Sequence, residues 1–126
     1  MDRPAGRLGG WWWGSMTPPA PVILDPQAQV SRHIARRTRE LIGQVRVWSI
    51  DGQDIRERRD LLAAGRRFPR PRLVRGTVGT HRLELSTDDF GRAVGRCDCT
   101  AARYGLRCSH LLALAVHAVA LGWEAA

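Results

Sequence analysis

All three cysteines of this 126-residue chain lie within the fifteen residues RCDCTAARYGLRCSH, at positions 96–110. His110, one of only four histidines, completes the segment. Three thiols cannot all pair as disulfides, so the segment calls for another explanation. If all four side chains bind one ion, the chain must fold back on itself in this segment. This cluster therefore constrains the fold more than any other feature of the sequence.

The spacing of the four residues favours a metal site. Cys97 and Cys99 lie two apart on a predicted strand, where alternate side chains point the same way. Cys108 and His110 follow at the predicted start of the last helix, for which Ser109 is the expected N-cap. Three sulfurs and an imidazole suit tetrahedral Zn²⁺, and four protein ligands leave no position open for substrate. The sequence thus predicts a structural zinc site.

Other uses of cysteine fit this spacing less well. Thiol redox chemistry favours C-x-x-C, whereas Cys97 and Cys99 form C-x-C. A nucleophilic pair of Cys108 and His110 would join near neighbours in sequence, although such pairs usually assemble from distant segments. Both alternatives stay open at this point.

The surroundings of the cluster should favour ionised thiols. A helix N-terminus carries a partial positive charge, and Arg96, Arg103 and Arg107 lie close by in sequence. Three thiolates and Zn²⁺ leave one negative charge, which we expect these arginines to balance.

Hydrophobic periodicity predicts an α+β fold with helices before and after a small antiparallel sheet. A basic helical region is expected over residues 23–69, starting at Asp25-Pro26 and interrupted by one strand that ends in an Asp51-Gly52 turn. Residues 70–126 should form a hairpin with a reversal at Gly79-Thr80, a third strand, and an apolar helix buried on the sheet.

Residues 1–22 are rich in glycine and proline and are predicted to be a disordered tail. The run Trp11–Trp13 within it has two interpretations. It is either a platform for base stacking or docking, or part of a start-site artefact if translation begins at Met16.

The charge distribution indicates an anionic partner. The chain has 20 arginines, no lysine and 12 acidic residues, which gives a formal charge of +8. Residues 31–75 hold 13 of those arginines against five acids. Such segregation favours nucleic acid, although a coding bias toward arginine is an alternative explanation. The candidate nucleic-acid-binding residues are Arg32, Arg36, Arg37, Arg39, Arg58, Arg59, Arg66 and Arg67.

The order C-x-C, a short loop, C-x-H and an apolar helix resembles the SWIM zinc finger. Cys97, Cys99, Cys108 and His110 fill its ligand pattern, and the resemblance covers about residues 70–122. It departs from the common pattern at Thr100, where proline is frequent, and at Ser109, where lysine is frequent. The resemblance implies a ββα layout and a role in binding DNA or a protein partner. Such modules occur in helicase-like ATPases, transposases and recombination factors.

Several function classes lack their sequence signals. No apolar run reaches the roughly 18 residues that span a bilayer, and the N-terminus does not read as a signal peptide. No phosphate-binding loop or HExxH motif occurs, and His33 and His81 are expected to be ordinary surface residues. The sequence therefore predicts a cytoplasmic, non-enzymatic, zinc-containing protein that binds nucleic acid, with DNA favoured. The alternative is an adaptor that docks on a larger ATPase, transposase or recombination factor.

Overall fold

The computed structural model describes residues 12–14, 17–24, 31–103 and 108–122. The strands are β1 (Val22–Leu24), β2 (Val45–Ile50), β3 (Gln53–Asp54), β4 (Leu73–Val78), β5 (His81–Thr87) and β6 (Ala93–Cys97). The helices are α1 (Arg32–Leu41), α2 (Ile55–Ala63), α3 (Thr100–Arg103) and α4 (Ser109–Val119), and a short 3-10 helix covers Ile42–Gln44.

The six strands form one antiparallel sheet in the order β1-β6-β5-β4-β2-β3. On β5, Leu83 lies opposite both Gly76 of β4 and Cys97 of β6. This register places the three residues on the same face of the sheet. The predicted α+β class is confirmed.

Helix α4 covers that face and closes the core. Leu111 packs over Gly95, and Leu114 packs over Gly76. Both leucines are fully buried, together with Val74, Val78 and Leu85 from the sheet, and α1 packs against α4 from the side. The predicted burial of the C-terminal helix against the sheet is therefore confirmed.

The predicted turns form where short-range chemistry favours them. Ile50 pairs with Gln53 across Asp51 and Gly52, whose φ angles of 52° and 82° match a type I′ hairpin turn. Val78 pairs with His81 across a two-residue turn that begins at Gly79, with φ of 61°. Both reversals were predicted from the sequence, and both are confirmed.

Helix α1 has a side-chain cap at its N-terminus. Ser31 is its N-cap, and the Ser31 hydroxyl accepts a hydrogen bond of 3.2 Å from the backbone N–H of Ile34. The start predicted at Asp25-Pro26 lies outside the described residues. A serine cap at this position satisfies one of the free amides of the first turn.

The described part of the predicted tail packs on the sheet. Trp13 is only 3% exposed, and Val22 of β1 pairs with Gly95 of β6. Strands β2 and β3 come from the predicted helical region 23–69; β2 lies beside β4 in the sheet, and β3 lies beside β2. Val22 of β1, Leu41 of α1 and Leu83 of β5 belong to one hydrophobic core. Trp11 and Met16 lie outside the described residues.

Within the described ranges, none of the helices combines the length and apolar character needed to cross a bilayer.

The close packing of α4 on the sheet at Gly76 can be tested by substitution. A Cβ at Gly76 would lie 2.6 Å from the carbonyl oxygen of Arg46 and 3.1 Å from Leu114 Cδ1. Because a backbone atom cannot move aside cheaply, we expect Gly76→Ala to destabilise the protein by about 1–3 kcal/mol in urea unfolding. At Gly43 a Cβ would meet nothing within 4 Å, so Gly43→Ala is the matched control. Equal effects of the two substitutions would contradict the packing described here.

Candidate metal centre

The structure brings together the four residues of the predicted cluster. The sulfurs of Cys97, Cys99 and Cys108 and a ring nitrogen of His110 all lie within 4.8 Å of one another. The three cysteines are buried and free of disulfides, and His110 is partly buried. This group could hold a metal ion.

Each ligand is positioned by the end of a secondary-structure element. Cys97 is the last residue of β6, and Cys99 lies in the bend that precedes α3. The prediction that both cysteines lie on one strand was therefore wrong for Cys99. Because the chain turns immediately after the strand, the second sulfur returns toward the first.

The start of α4 is capped by a ligand of the cluster. Cys108 is the N-cap, with extended φ and ψ of −123° and 158°, and its Sγ accepts a hydrogen bond of 3.4 Å from the backbone N–H of Leu111. The predicted cap, Ser109, is instead the first residue of the helix. His110 consequently lies in the first helical turn, where its ring reaches the three sulfurs.

The donor set fits a metal ion better than a purely protein-bonded cluster. The Nδ1 atom of His110 is buried and has no hydrogen-bond partner in the structure. An orphaned buried nitrogen costs about 1–3 kcal/mol unless another partner satisfies it. A cation among the three sulfurs would provide that partner, so we infer that Nδ1 is the ligand atom of His110.

The three thiols do not ionise alike. Hydrogen bonding from Cys97, partly offset by burial and supported by His110 and the Leu111 amide, lowers the pKa of Cys108 to about 4. The same sulfur-to-sulfur hydrogen bond, together with burial, raises the pKa of Cys97. Burial also raises the pKa of Cys99. Of the three thiols, that of Cys108 therefore ionises most readily.

A second histidine, His81, lies beside the cluster, although the sequence predicts it to be an ordinary surface residue. Its Nδ1 lies 2.8 Å from Asp98 Oδ1, and its ring centroid lies 4.3 Å from that of His110. Candidate ligand atoms of His81, Cys97 and Asp98 also lie within 4.8 Å of one another. The sequence signal was indirect, because His81 begins β5 and only the sheet register brings it to the end of β6.

Arg96, one of the three arginines expected to balance the charge of the cluster, faces elsewhere. Arg96 alternates with Cys97 along β6, and its guanidinium bonds the carbonyl oxygen of Pro19 and lies 4.0 Å from a carboxylate oxygen of Glu84. These contacts lie on the sheet face opposite α4. The side chain of Arg103 and all of Arg107 fall outside the described residues.

The predicted nucleic-acid-binding arginines form two groups on different elements. Arg32, Arg36, Arg37 and Arg39 are exposed on α1, which packs against α4. Arg59 is exposed on α2, which packs against β2 and β3, and Arg66 and Arg67 are exposed just after it.

Arg58 is not part of this surface. Its side chain is buried, with 6% exposure, and its guanidinium carbon lies 4.3 Å from the ring centroid of Phe68. The guanidinium carbon of Arg66 also lies over the Phe68 ring, 5.4 Å from its centroid. The structure thus places Arg58 in the packing of α2 against the segment that follows it, away from the exposed arginines.

Sequence reasoning missed a second surface, on the sheet face opposite α4. Arg46 and Trp48 alternate along β2 with residues that face the core, and Arg82 of β5 lies on the same side. The alternation in residues 45–50 was visible in the sequence. What could not be seen was that β5 would place Arg82 two strands away on the same face.

Nothing among known family models, curated proteins or solved structures matched this chain.

Proton release on metal binding tests the ionisation pattern of the cluster. At pH 7 Cys108 is already a thiolate, whereas Cys97 and Cys99 must each lose a proton to bind metal, so affinity rises with pH. Calorimetry in buffers of different ionisation enthalpy measures the number of protons released per metal ion bound. We expect this number to be one lower for Cys97→Ser than for the wild type. His117→Ala, on α4 but outside the cluster, is the matched control and should release the same number as the wild type. An equal count for Cys97→Ser and the wild type would contradict the protonated state of Cys97.

Proposed function

We propose that the protein is a zinc-binding, non-enzymatic protein that binds nucleic acid, with DNA as the favoured partner. The observation that carries the proposal is the buried group of Cys97, Cys99, Cys108 and His110, whose ligand atoms lie within 4.8 Å of one another. The exposed arginines of α1 and of the segment after α2 support the second half of the proposal.

Zinc is the metal that best suits this donor set. Thiolate and imidazole ligands are typical of Zn²⁺, whereas Mg²⁺ and Ca²⁺ prefer oxygen. Three cysteines and one histidine match a structural site that is closed to substrate. Free thiols persist in a reducing compartment, and we propose that the protein acts in the cytoplasm.

A SWIM-type finger remains our proposal for residues 70–122. Its support is the order of a hairpin, a third strand and an apolar helix, with the C-x-C pair at the end of β6 and the C-x-H pair at the start of α4. In this arrangement the ion would fasten the end of β6 to the helix that covers the sheet.

Metal analysis tests the zinc assignment directly. We expect one zinc per chain in protein purified under reducing conditions, and none in His110→Ala. Removing zinc with a chelator should lower the melting temperature by more than about 10 °C, because structural zinc contributes on the order of the whole net stability of a domain. His117→Ala, on the same helix but outside the cluster, should keep its zinc. Metal-free protein that melts like the untreated sample would contradict the assignment.

Helix α1 offers the clearest surface for phosphate. Arg32, Arg36 and Arg39 follow the spacing i, i+4, i+7 and therefore share one side of the helix, away from the buried Thr38 and Leu41. Arginine suits this role because its planar fork binds phosphate oxygens in pairs.

Arg37 lies on the flank of this stripe and contacts a carboxylate oxygen of Glu40 at 3.6 Å. The two side chains are about half exposed, so the pair contributes little to stability. Arg37 thus stays available to an anionic ligand, although Glu40 offsets part of its charge.

Salt titration tests the phosphate contacts. We expect the affinity for duplex DNA to fall steeply as salt rises, and the logarithmic slope of Arg36→Ala/Arg39→Ala to be shallower by about 1.8, or 0.9 per lost contact. Arg92→Ala, at the exposed β5–β6 turn, is the control and should keep the wild-type slope. Binding that does not respond to salt would overturn the nucleic-acid proposal.

A second candidate function is favoured by apolar side chains on α4. Val116 and Val119 lie three residues apart on this helix, and both are more than half exposed. They would suit a protein-interaction adaptor that docks on a larger ATPase, transposase or recombination factor. A stoichiometric partner that survives nuclease treatment and is lost in Val116→Asp would favour this function over nucleic-acid binding.

A further inference from the structure

The sheet face opposite α4 carries an open cleft of about 770 Å³. Two tryptophans, Trp12 and Trp48, form part of its lining. Arg75, Thr77 and Arg82 line it from the sheet, since they alternate with the residues that face α4. The cleft is thus separate from the metal cluster, which lies on the covered face.

Hydrogen bonds from both indole N–H groups anchor the two tryptophans. Trp48 Nε1 donates to Thr77 Oγ1 at 3.0 Å, and Trp12 Nε1 donates to the carbonyl oxygen of Leu83 at 3.2 Å. Arg82 Nη1 further donates to the carbonyl oxygen of Trp12 at 3.0 Å. The polar atom of each ring is therefore already used, and what each ring can offer a ligand is its π surface.

Positive charge lies beside these rings. The guanidinium carbon of Arg46 lies 5.4 Å from the ring centroid of Trp48, and Arg82 is exposed at the other side of the cleft. Trp48 itself remains 42% exposed. An aromatic surface flanked by arginines is the combination that binds single-stranded nucleic acids, because bases stack on the rings while phosphates contact the cations.

Two acidic groups near the cleft are held by hydrogen bonds, and they keep their negative charge. Asp54 Oδ1 accepts hydrogen bonds from the first backbone amides of α2, those of Arg56 and Glu57. Glu84 is held by Arg75 at 2.9 Å. The Glu57 carboxylate is exposed, and it is suited to accept a hydrogen bond from an exocyclic base amine.

We propose that this cleft binds unpaired nucleotides of a single-stranded nucleic acid, with bases stacked on Trp48 and Trp12 and phosphates held by Arg46 and Arg82. The inference rests on the proposed nucleic-acid function and names its substrate class. A duplex is excluded because its bases are already stacked on one another. The cleft volume lies within the range of about 300–1,000 Å³ that holds one small ligand, so it suits one or two nucleotides.

Binding of a short labelled DNA strand, compared with the duplex of the same sequence, tests the inference on the full zinc-loaded chain. Trp48→Ala should weaken single-strand binding by about 5- to 150-fold, which corresponds to the loss of one base stack. Duplex binding through the α1 arginines should not change. Trp48→Phe keeps an aromatic ring and should recover most of the affinity.

Phe90 provides a matched control. It lies at the β5–β6 turn, outside the cleft lining, and is 81% exposed. The guanidinium carbon of Arg92 lies 5.3 Å from its ring centroid, which is the same kind of contact that Arg46 makes with Trp48. Phe90→Ala should bind the single strand like the wild type. Zinc content and melting temperature report whether each variant is folded.

The outcomes separate this inference from the proposed function. If Trp48→Ala binds the single strand like the wild type, or if the wild type binds it without quenching of tryptophan fluorescence, the cleft assignment fails while salt-dependent duplex binding still stands. Equal losses in Trp48→Ala and Phe90→Ala would also overturn it. Wild-type protein that binds neither strand form at low salt would overturn both proposals.

Discussion

The packing of α4 against the sheet is the contact on which the rest of the structure depends. Two glycines, Gly76 and Gly95, let the helix approach so closely that leucine side chains fill the space a Cβ would need. The same helix begins at Cys108, whose sulfur both caps the first turn and joins the cluster at the end of β6. Core packing and cluster geometry are therefore fixed by one contact.

That contact also divides the molecule into two chemically distinct faces. On the covered face lie apolar residues, the three buried thiols and the His81–His110 ring pair. The opposite face carries charged and aromatic residues, and an ion pair between Arg75 and Glu84 is nearly buried there, at 2.9 Å. Because neighbouring residues of a strand point to opposite faces, His81 lies beside the cysteine–histidine cluster while the adjacent Arg82 lines the open cleft.

Local sequence signals were sufficient where short-range physics decides the outcome. The Asp51-Gly52 turn followed from residues that tolerate positive φ, and the convergence of three cysteines and one histidine followed from their spacing. The boundary residues were harder to predict. Cys108, and not Ser109, caps α4, because a cap depends on where tertiary packing begins the helix.

The sequence by itself determined the fold class, the hairpin turns and the four residues that converge, since periodicity, turn chemistry and ligand spacing are local properties of the chain. Only the tertiary structure decided that Arg58 is buried against Phe68, that His81 lies beside His110, and that Trp12 and Trp48 line one cleft. Each of these depends on the register and order of strands distant in sequence, which are set by burial of the whole sheet and not by any single segment.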